Sequence, residues 1–406
     1  MNIFQRYIIE PFAILRNRTF AKLYMAQTVS QLGDAFAWVG LALLAYHIDE
    51  ARSPVILSVA LTLRVAAYIV FSPFAGVLAD KIDRKKILYV THFARMGIIT
   101  CFPFVTAEWQ MYVLVFLLNM FAAFFTPTYR SVIPQVVEKE RYREAIGLSI
   151  GTFQLLGVAG PALAGILAVW LGAREIFFVN TVTFIVAAVF ILAIPKAAIQ
   201  KQADIAASNN GAWKDVQKGV RLLFGNKILR FALSIEFISA IAGAQILVNT
   251  VGHVKNGLHL TDSHYGWVMA AFGIGAAIAA YVAGIVDKSK TRSRSLIGGA
   301  FLVGMAILFA NYTSFNMLLF LWVLAGLGQS LADTPSETLI GENISMENQG
   351  KVYGSHFAFS HLWWAIAYPV AGLLGNAFPD TNFLYGGLLT LGFALLAVII
   401  FKPKRD

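Results

Sequence analysis

Long apolar segments alternate with short polar connections along the whole chain. Runs such as 114–125, 177–194 and 388–401 contain no charged residue. The hydrocarbon core of a bilayer is about 30 Å thick, so a spanning helix needs roughly 20 such residues. The pattern predicts twelve transmembrane helices, at 20–48, 54–80, 87–107, 110–137, 144–171, 175–195, 226–254, 263–286, 295–311, 315–341, 351–375 and 382–401.

The composition supports a membrane protein. Hydrophobic residues make up 58% of the 406 residues and charged residues 13%, whereas soluble domains are about 25% charged. A soluble protein this apolar would expose large apolar patches and aggregate. We therefore predict an all-α, multi-pass protein of the plasma (inner) membrane, surrounded by the lipid bilayer and monomeric.

The distribution of positive charge predicts the orientation. Most of the 32 Lys and Arg residues fall in alternate connections, and the opposite connections contain only Arg52, Arg174 and Lys255. Cytoplasmic loops carry the excess of Lys and Arg, so both termini are predicted to be cytoplasmic. The same asymmetry accounts for the net charge of +10 and argues against a nucleic-acid partner.

One long connection, 196–225, divides the predicted helices six and six. It is rich in small and polar residues, which predicts a cytoplasmic linker between an N-terminal half, 1–195, and a C-terminal half, 226–406. Transporters built from repeats have this layout, with the substrate near the membrane midplane at the repeat interface. No G-x-x-x-x-G-K-[ST] loop and no catalytic constellation occur, so we predict a transporter driven by an ion gradient, with no enzymatic activity and no cofactor.

The connection between the second and third helices carries the most specific motif. It resembles the G-x-L-a-D-r-x-G-r-k signature of the major facilitator superfamily, with Lys81 in place of Arg and Asp83 in place of Gly; the matching residues are Gly76, Leu78, Ala79, Asp80, Arg84 and Lys85. The acidic residue at 83 looks like the drug:proton antiporter branch that includes siderophore and nickel exporters. The resemblance implies a conformational latch formed by Gly76, Asp80, Arg84 and Lys85; the alternative is a solvated basic loop.

The fifth predicted helix contains Gly160, Pro161 and Gly165, which are similar to the antiporter motif g-x-x-x-G-P-x-x-G-G. That resemblance implies export rather than uptake. The alternative is ordinary close packing through small residues.

Ionisable residues inside spans are functional candidates because burying them in a membrane is expensive. In the superfamily, helices 1, 4, 7 and 10 line the central cavity, and these helices contain four carboxylates that we predict as proton or cation sites: Asp34, Glu236, Asp333 and Glu337. Structural salt bridges with Arg64, Arg95 or Arg130 are the alternative. Arg130, on the fourth helix, is also a candidate for the substrate path.

The eleventh predicted helix contains His356, His361 and Trp363, in a stretch that resembles nickel-resistance exporters of this branch. Imidazole and carboxylate ligands suit nickel, cobalt or zinc, and residue counting places His361 at about the depth of Asp333. This predicts a substrate path through His356, His361 and Trp363 and a metal site formed by both histidines with Asp333. A five-residue step turns about 140°, however, so a straight helix does not direct both rings to one ion. Neutral histidines bonded within the bundle are the alternative.

Together these features predict a proton-coupled efflux antiporter that works by alternating access. A divalent transition metal, nickel or cobalt, is the preferred cargo. An amphipathic organic molecule, a drug or siderophore, is the alternative and would suit the aromatic residues Trp38, Trp267, Trp363 and Trp364. A membrane enzyme or a lipid scramblase is the alternative from another class.

Overall fold

A computed structural model describes residues 10–138, 141–199, 212–286 and 292–401, and the regular structure within these ranges is helical. The α-helices are α1 Arg18–Ile48, α2 Ser53–Lys81, α3 Arg84–Cys101, α4 Glu108–Val136, α5 Tyr142–Leu171, α6 Ile176–Leu192, α7 Ala212–Gly225, α8 Lys227–Gly252, α9 Asp262–Val286, α10 Arg292–Leu308, α11 Phe315–Asn343, α12 Met346–Ala377 and α13 Asn382–Phe401. Each predicted span coincides with one of these helices. The all-α fold is confirmed.

Many of the helices are suited to a bilayer. Over the described residues, 9 helices are long and apolar enough to cross a membrane, and Ile176–Leu192 is a shorter apolar helix. Helices satisfy every backbone hydrogen bond internally, as a segment surrounded by lipid must. The chain is therefore a multi-pass membrane protein, while the count of twelve spans and the side on which the termini lie stay predictions.

The segment predicted as a linker contains an additional helix, α7. Its sequence, AWKDVQKGVRLLFG, mixes basic and apolar residues. α8 begins at once after α7, because the side chain of Asn226 accepts hydrogen bonds from the backbone N–H groups of Ile228 and Leu229 and so caps α8. Because the segment is polar on average, the pattern of apolar runs did not reveal this helix.

The chain forms two compact units, and each has its own hydrophobic core. One unit contains Met1–Gly40 and Ala66–Ile205, and the other contains Leu41–Val65 and Ala206–Asp406. The segment Leu41–Val65 therefore belongs with residues of the C-terminal half, which sequence patterning did not indicate.

Contacts at the α1–α2 connection explain this assignment. Tyr46 donates a hydrogen bond to the side-chain oxygen of Asn256, and Asp262 lies 3.6 Å from the Nε2 atom of His47 and is bridged by Lys255. The Lys255 ammonium group also lies 4.9 Å from the centre of the Tyr46 ring. Hydrogen bonds and ion pairs thus hold the end of α1 to the start of α9.

Helices α9 and α11 touch through glycines. A Cβ atom on Gly275 would overlap the carbonyl oxygen of Val323, and one on Gly326 would overlap that of Phe272. Small residues let membrane helices approach closely, and the gain there is packing between backbones. The glycine-rich stretch of α9 is therefore a packing surface.

Candidate transport site

The loop before α3 is ordered by Asp83, the residue that replaces the usual glycine of the signature. Its side chain accepts a hydrogen bond from the backbone N–H of Lys85 at 2.9 Å and forms the N-cap of α3. An acidic cap satisfies a free N–H group and interacts favourably with the positive end of the helix dipole. The departure from the signature therefore has a local structural cause.

The basic residues of the same loop bind neighbouring helices. The ammonium group of Lys85 donates to the carbonyl oxygens of Leu192 at 2.9 Å and Ile194 at 2.5 Å, where α6 ends. Lys22 donates to Ala193 at 2.7 Å in the same turn. Cations stabilise the unsatisfied carbonyl groups of a helix C-terminus. Lys85 is buried, so it acts as an anchor and is not a solvated loop residue.

Asp34 forms an ion pair in the first unit. Its Oδ1 atom lies 2.5 Å from a guanidinium nitrogen of Arg95, which is 4% exposed and lies 4.3 Å above the ring of Phe184. The Asp34 side chain is 35% exposed. Of the partners considered from the sequence, Arg95 is the one that contacts Asp34.

The antiporter-like motif approaches this pair. A Cβ atom on Gly160 would overlap the Cβ atom of Ala35, so α5 and α1 are in direct contact one residue from Asp34. Gly33, on the other side of Asp34, packs in the same way against Asn180 and Thr183 on α6. The backbone of α1 therefore packs closely against α6 on one side of Asp34 and against α5 on the other.

A histidine that the sequence interpretation overlooked lies one turn from Arg95. His92 is fully buried between the rings of Phe125 and Phe184, at centroid distances of 4.5 and 6.0 Å. Neither of its ring nitrogens has a hydrogen-bond partner among the described residues. Two ionisable residues three positions apart in an apolar helix, His92 and Arg95, are the sequence signal that would have indicated a buried polar site.

In the second unit, Glu236 and His356 form a buried pair. The Oε1 atom of Glu236 on α8 lies 2.9 Å from Nε2 of His356 on α12, and their side chains are 10% and 11% exposed. The second carboxylate oxygen of Glu236 is buried and has no hydrogen-bond partner within the described part of the chain. The pair can therefore accept a proton or a further polar group at that oxygen.

Asp333 on α11 lies beside this pair. The side-chain nitrogen of Gln329 donates to Oδ2 of Asp333 at 3.0 Å and lies 2.6 Å from the Ser239 hydroxyl. Ser239 also hydrogen-bonds to Asp333, and the carboxylate interacts electrostatically with Glu236 and His356. Three helices thus bring two carboxylates and one imidazole together, whereas Ser239 and Gln329 were not predicted.

His361 lies elsewhere on α12. Its Nδ1 atom is 2.8 Å from the carbonyl oxygen of Phe357, and the ring stacks on Phe357 at 3.9 Å. It also interacts electrostatically with Arg64. The described side chains include no group of three or more His, Cys, Asp or Glu residues arranged to hold a metal ion. His356, His361 and Asp333 therefore do not assemble into the predicted metal site, since the helix turns about 140° between the two rings.

Trp363 packs in an aromatic cluster between α12 and α8, the helices that carry the pair. Its ring packs edge-on against Phe237 at 5.0 Å and lies 6.2 Å from Phe359. Phe237 follows Glu236 directly on α8. The indole N–H of Trp363 is buried and lacks an acceptor among the described residues. Apolar rings and a buried N–H donor therefore lie on α8 and α12, the two helices that also carry Glu236 and His356.

Several predicted residues lie outside the described side chains: Gly76, Asp80, Pro161, Gly165 and Glu337. The described part of the predicted latch consists of Lys85 and of Arg84, which lies 3.4 Å from the carbonyl oxygen of Ser131 on α4. The side chain of Arg130 is exposed on α4.

Comparison with known proteins agrees with the fold. The model of the Major Facilitator Superfamily matches residues 23–251 and 233–406. Among curated proteins, the uncharacterized MFS-type transporter YfiS of Bacillus subtilis is 24% identical over 93% of this chain and 92% of its own length. Macrolide efflux protein A of Streptococcus pyogenes is 24% identical over 95% and 96%. The solved structure of a bacterial homolog of the human lysosomal transporter Spinster has a TM-score of 0.71 at 15% identity and covers 95% of this chain and 96% of its own.

The family match and the transporter relatives indicate a transporter and not an enzyme. The family match extends over nearly the whole chain. The chain belongs to the major facilitator superfamily.

Proposed function

We propose that this transporter exports amphipathic organic compounds that carry a positive charge, in exchange for protons, by alternating access in the inner membrane. The observation that carries the proposal is the buried group of Glu236, Asp333 and His356, which has an unpaired carboxylate oxygen and lies on helices that also hold the packed rings of Phe237 and Trp363.

The chemistry of exchange follows from this group. A carboxylate binds either a proton or a cationic cargo, and the two compete for the same oxygen. A proton that arrives at Glu236 neutralises the carboxylate and releases the cargo, and loss of the proton restores the negative charge. His356 can hold or pass on that proton because imidazole is both donor and acceptor. Such competition couples the two fluxes if each ligand favours a different conformation.

The surroundings support an organic cargo. Aromatic side chains attract cations and also supply large apolar contact area. A divalent metal would require several converging donors, and the described histidines and carboxylates do not provide them. The relative from Streptococcus pyogenes bears the name macrolide efflux protein, which supports export of a bulky organic molecule by this chain as well.

The other sites have narrower proposed roles. Asp34 with Arg95 is a second candidate coupling group, and Gly160, Pro161 and Gly165 shape α5 where it meets α1. Gly76, Asp80, Arg84 and Lys85 latch one conformation on the cytoplasmic side. His361, Arg130 and Glu337 lie along the substrate path, and one chain suffices for transport.

The test is a resistance panel in a bacterium that lacks its own efflux pumps. The cells are challenged with a macrolide, a cationic dye, nickel and cobalt, and then everted vesicles are assayed for dye uptake driven by a proton gradient. We expect resistance to the macrolide and the dye, which Glu236→Gln and Asp333→Asn abolish. Glu347→Gln, which removes an exposed acid at the start of α12, is the matched control. Nickel resistance without drug resistance would overturn the proposal, as would full activity of Glu236→Gln.

A further inference from the structure

The helix α7 has a continuous basic stripe. Lys214, Lys218 and Arg221 are all exposed, and their spacing of four and three residues places them within about 60° of one another at ~100° per residue. Lys227 and Arg230, which are also exposed, extend the positive charge into the start of α8. The stripe thus concentrates positive charge at the entrance of a predicted span.

The opposite side of α7 is fixed to α12. The carboxylate of Asp215 lies 2.7 Å from the ammonium group of Lys351. A Cβ atom on Gly219 would overlap the carbonyl oxygen of Lys351 and lie 2.5 Å from the Ser355 hydroxyl, so the two helices are in backbone contact. Leu223, one turn further along α7, is fully buried. The helix α7 is therefore packed against α12, and this contact fixes the side of α7 on which the basic stripe lies.

An exposed aromatic side chain adjoins the basic stripe. Phe224, which is 38% exposed, lies about 60° from Arg221 around α7 at ~100° per residue. Ile228, at the start of α8, is 46% exposed. α8 begins two residues after α7 ends and is a candidate span, so α7 lies at the level of the lipid headgroups. A helix with a basic face and an apolar edge is typical of segments that lie in the membrane interface. Basic clusters directly next to a span bind anionic lipids on the cytoplasmic side.

We propose that α7 is a binding surface for anionic phospholipid headgroups of the inner leaflet, with Lys214, Lys218 and Arg221 as the phosphate-binding residues. Charge complementarity selects the partner, and the exposed Phe224 beside Arg221 favours a lipid over a soluble anion because its ring contacts the acyl boundary. A bound headgroup acts on α12 through Asp215 and Gly219. That helix also carries His356, directly after Ser355, so the surface connects lipid composition to the transport site.

The test uses the full-length protein in a nonionic detergent, titrated with phosphatidylglycerol or phosphatidylcholine and analysed by native mass spectrometry. Each basic residue near an anionic surface strengthens binding roughly fivefold. We therefore expect the triple variant Lys214→Gln, Lys218→Gln, Arg221→Gln to bind phosphatidylglycerol at least about tenfold more weakly, with phosphatidylcholine unaffected.

The matched control removes the same charge elsewhere, at the exposed residues Arg18, Lys86 and Lys196, each replaced by Gln. We expect it to weaken phosphatidylglycerol binding clearly less than the α7 triple variant does, because the three residues belong to three separate elements and form no stripe on one helix face. Equal loss in both triple variants would overturn the proposal, because net charge alone would then account for binding. Displacement of the lipid by glycerol phosphate or inorganic phosphate would also overturn it, since the stripe would be a site for free anions. Capture of an acidic peptide in preference to the lipid would do the same.

A second measurement leaves the stripe intact. In a Cys101→Ser background, Gln217→Cys, at an exposed position beside the stripe, is labelled with a fluorophore, and the protein is placed in nanodiscs with spin-labelled phosphatidylglycerol or phosphatidylcholine. Stronger quenching by the phosphatidylglycerol label supports the proposal, and equal quenching by both contradicts it. Neither measurement depends on transport, so failure here and failure of the proposed export are separate results.

Discussion

The pair of Asp34 and Arg95 allows a test that separates a structural ion pair from a coupling site. The perturbations are Asp34→Asn, Arg95→Gln and the double variant. Asp34→Asn leaves the guanidinium of Arg95, which is 4% exposed, without its counter-charge. Arg95→Gln leaves a carboxylate that is 35% exposed and that water solvates in part.

The magnitude follows from the geometry. Two unit charges about 4 Å apart attract by about 4 kcal/mol at an effective dielectric constant of 20, and loss of one partner of a buried pair costs about 3–5 kcal/mol. Because Asp34 is partly solvated, we expect about 3 kcal/mol for Asp34→Asn and about 1–2 kcal/mol for Arg95→Gln. The double variant should be more stable than Asp34→Asn, which gives a coupling energy of about 2 kcal/mol. This coupling energy would exceed that of ordinary hydrogen bonds between membrane helices, which average ~0.6 and reach ~1.7 kcal/mol.

The assay is reversible unfolding of the purified protein by sodium dodecyl sulfate in mixed micelles, followed by circular dichroism. Asp380→Asn, which removes an exposed acid, is the control and should leave the free energy of unfolding unchanged within about 0.5 kcal/mol. A coupling energy below about 0.5 kcal/mol would refute the reasoning, because the two charges would then not stabilise one another in the fold.

Transport by the double variant decides between the two roles. If Asp34 is needed only to neutralise Arg95, the double variant regains both stability and proton-driven transport in vesicles. If Asp34 itself carries the proton, the double variant is stable and inactive.

Three further substitutions test individual contacts. Lys85→Gln removes the cation that caps α6 and should lower the free energy of unfolding by about 1–3 kcal/mol, whereas Lys86→Gln, at the exposed neighbouring position, should have no measurable effect in the same assay. Gly160→Leu should push α5 from α1 and abolish transport, while Gly157→Leu, where a Cβ meets no atom within 4 Å, should be tolerated; equal tolerance of both would contradict the close contact. Gly326→Val should block the approach of α9 and α11 and prevent accumulation of folded protein, as measured by detergent-extracted fluorescence of a fused reporter, and normal accumulation would argue against that contact.

Sequence patterning located the long helices well because each depends on a local property. An apolar run of sufficient length must form a helix in lipid, where no water satisfies the backbone. The bounds of α2, α5 and α11 therefore follow from composition within a few residues. The helix α7 was missed because it is short and mixes basic and apolar residues, so that its average hydropathy carries little signal.

The sequence predicted which residues belong to the candidate site, but it did not predict which of them contact one another. Residue types marked Asp34, Glu236, Asp333 and His356, because ionisable groups inside apolar segments are rare and expensive. Their partners come from residues far apart in the chain, so they depend on how each helix is rotated about its axis. The hydrogen bond between Glu236 and His356 joins positions 120 residues apart.

Depth along a helix was a misleading guide to contact. Counting residues placed His361 level with Asp333, but its Nδ1 atom hydrogen-bonds to the carbonyl oxygen of Phe357 on its own helix, and the ring interacts electrostatically with Arg64 and His356. The sequence by itself determined the membrane class, the helices and the chemistry available to them, since these depend on composition and local spacing. Only the tertiary structure decided which charges face one another, because helix rotation and packing are set by contacts summed over the whole fold.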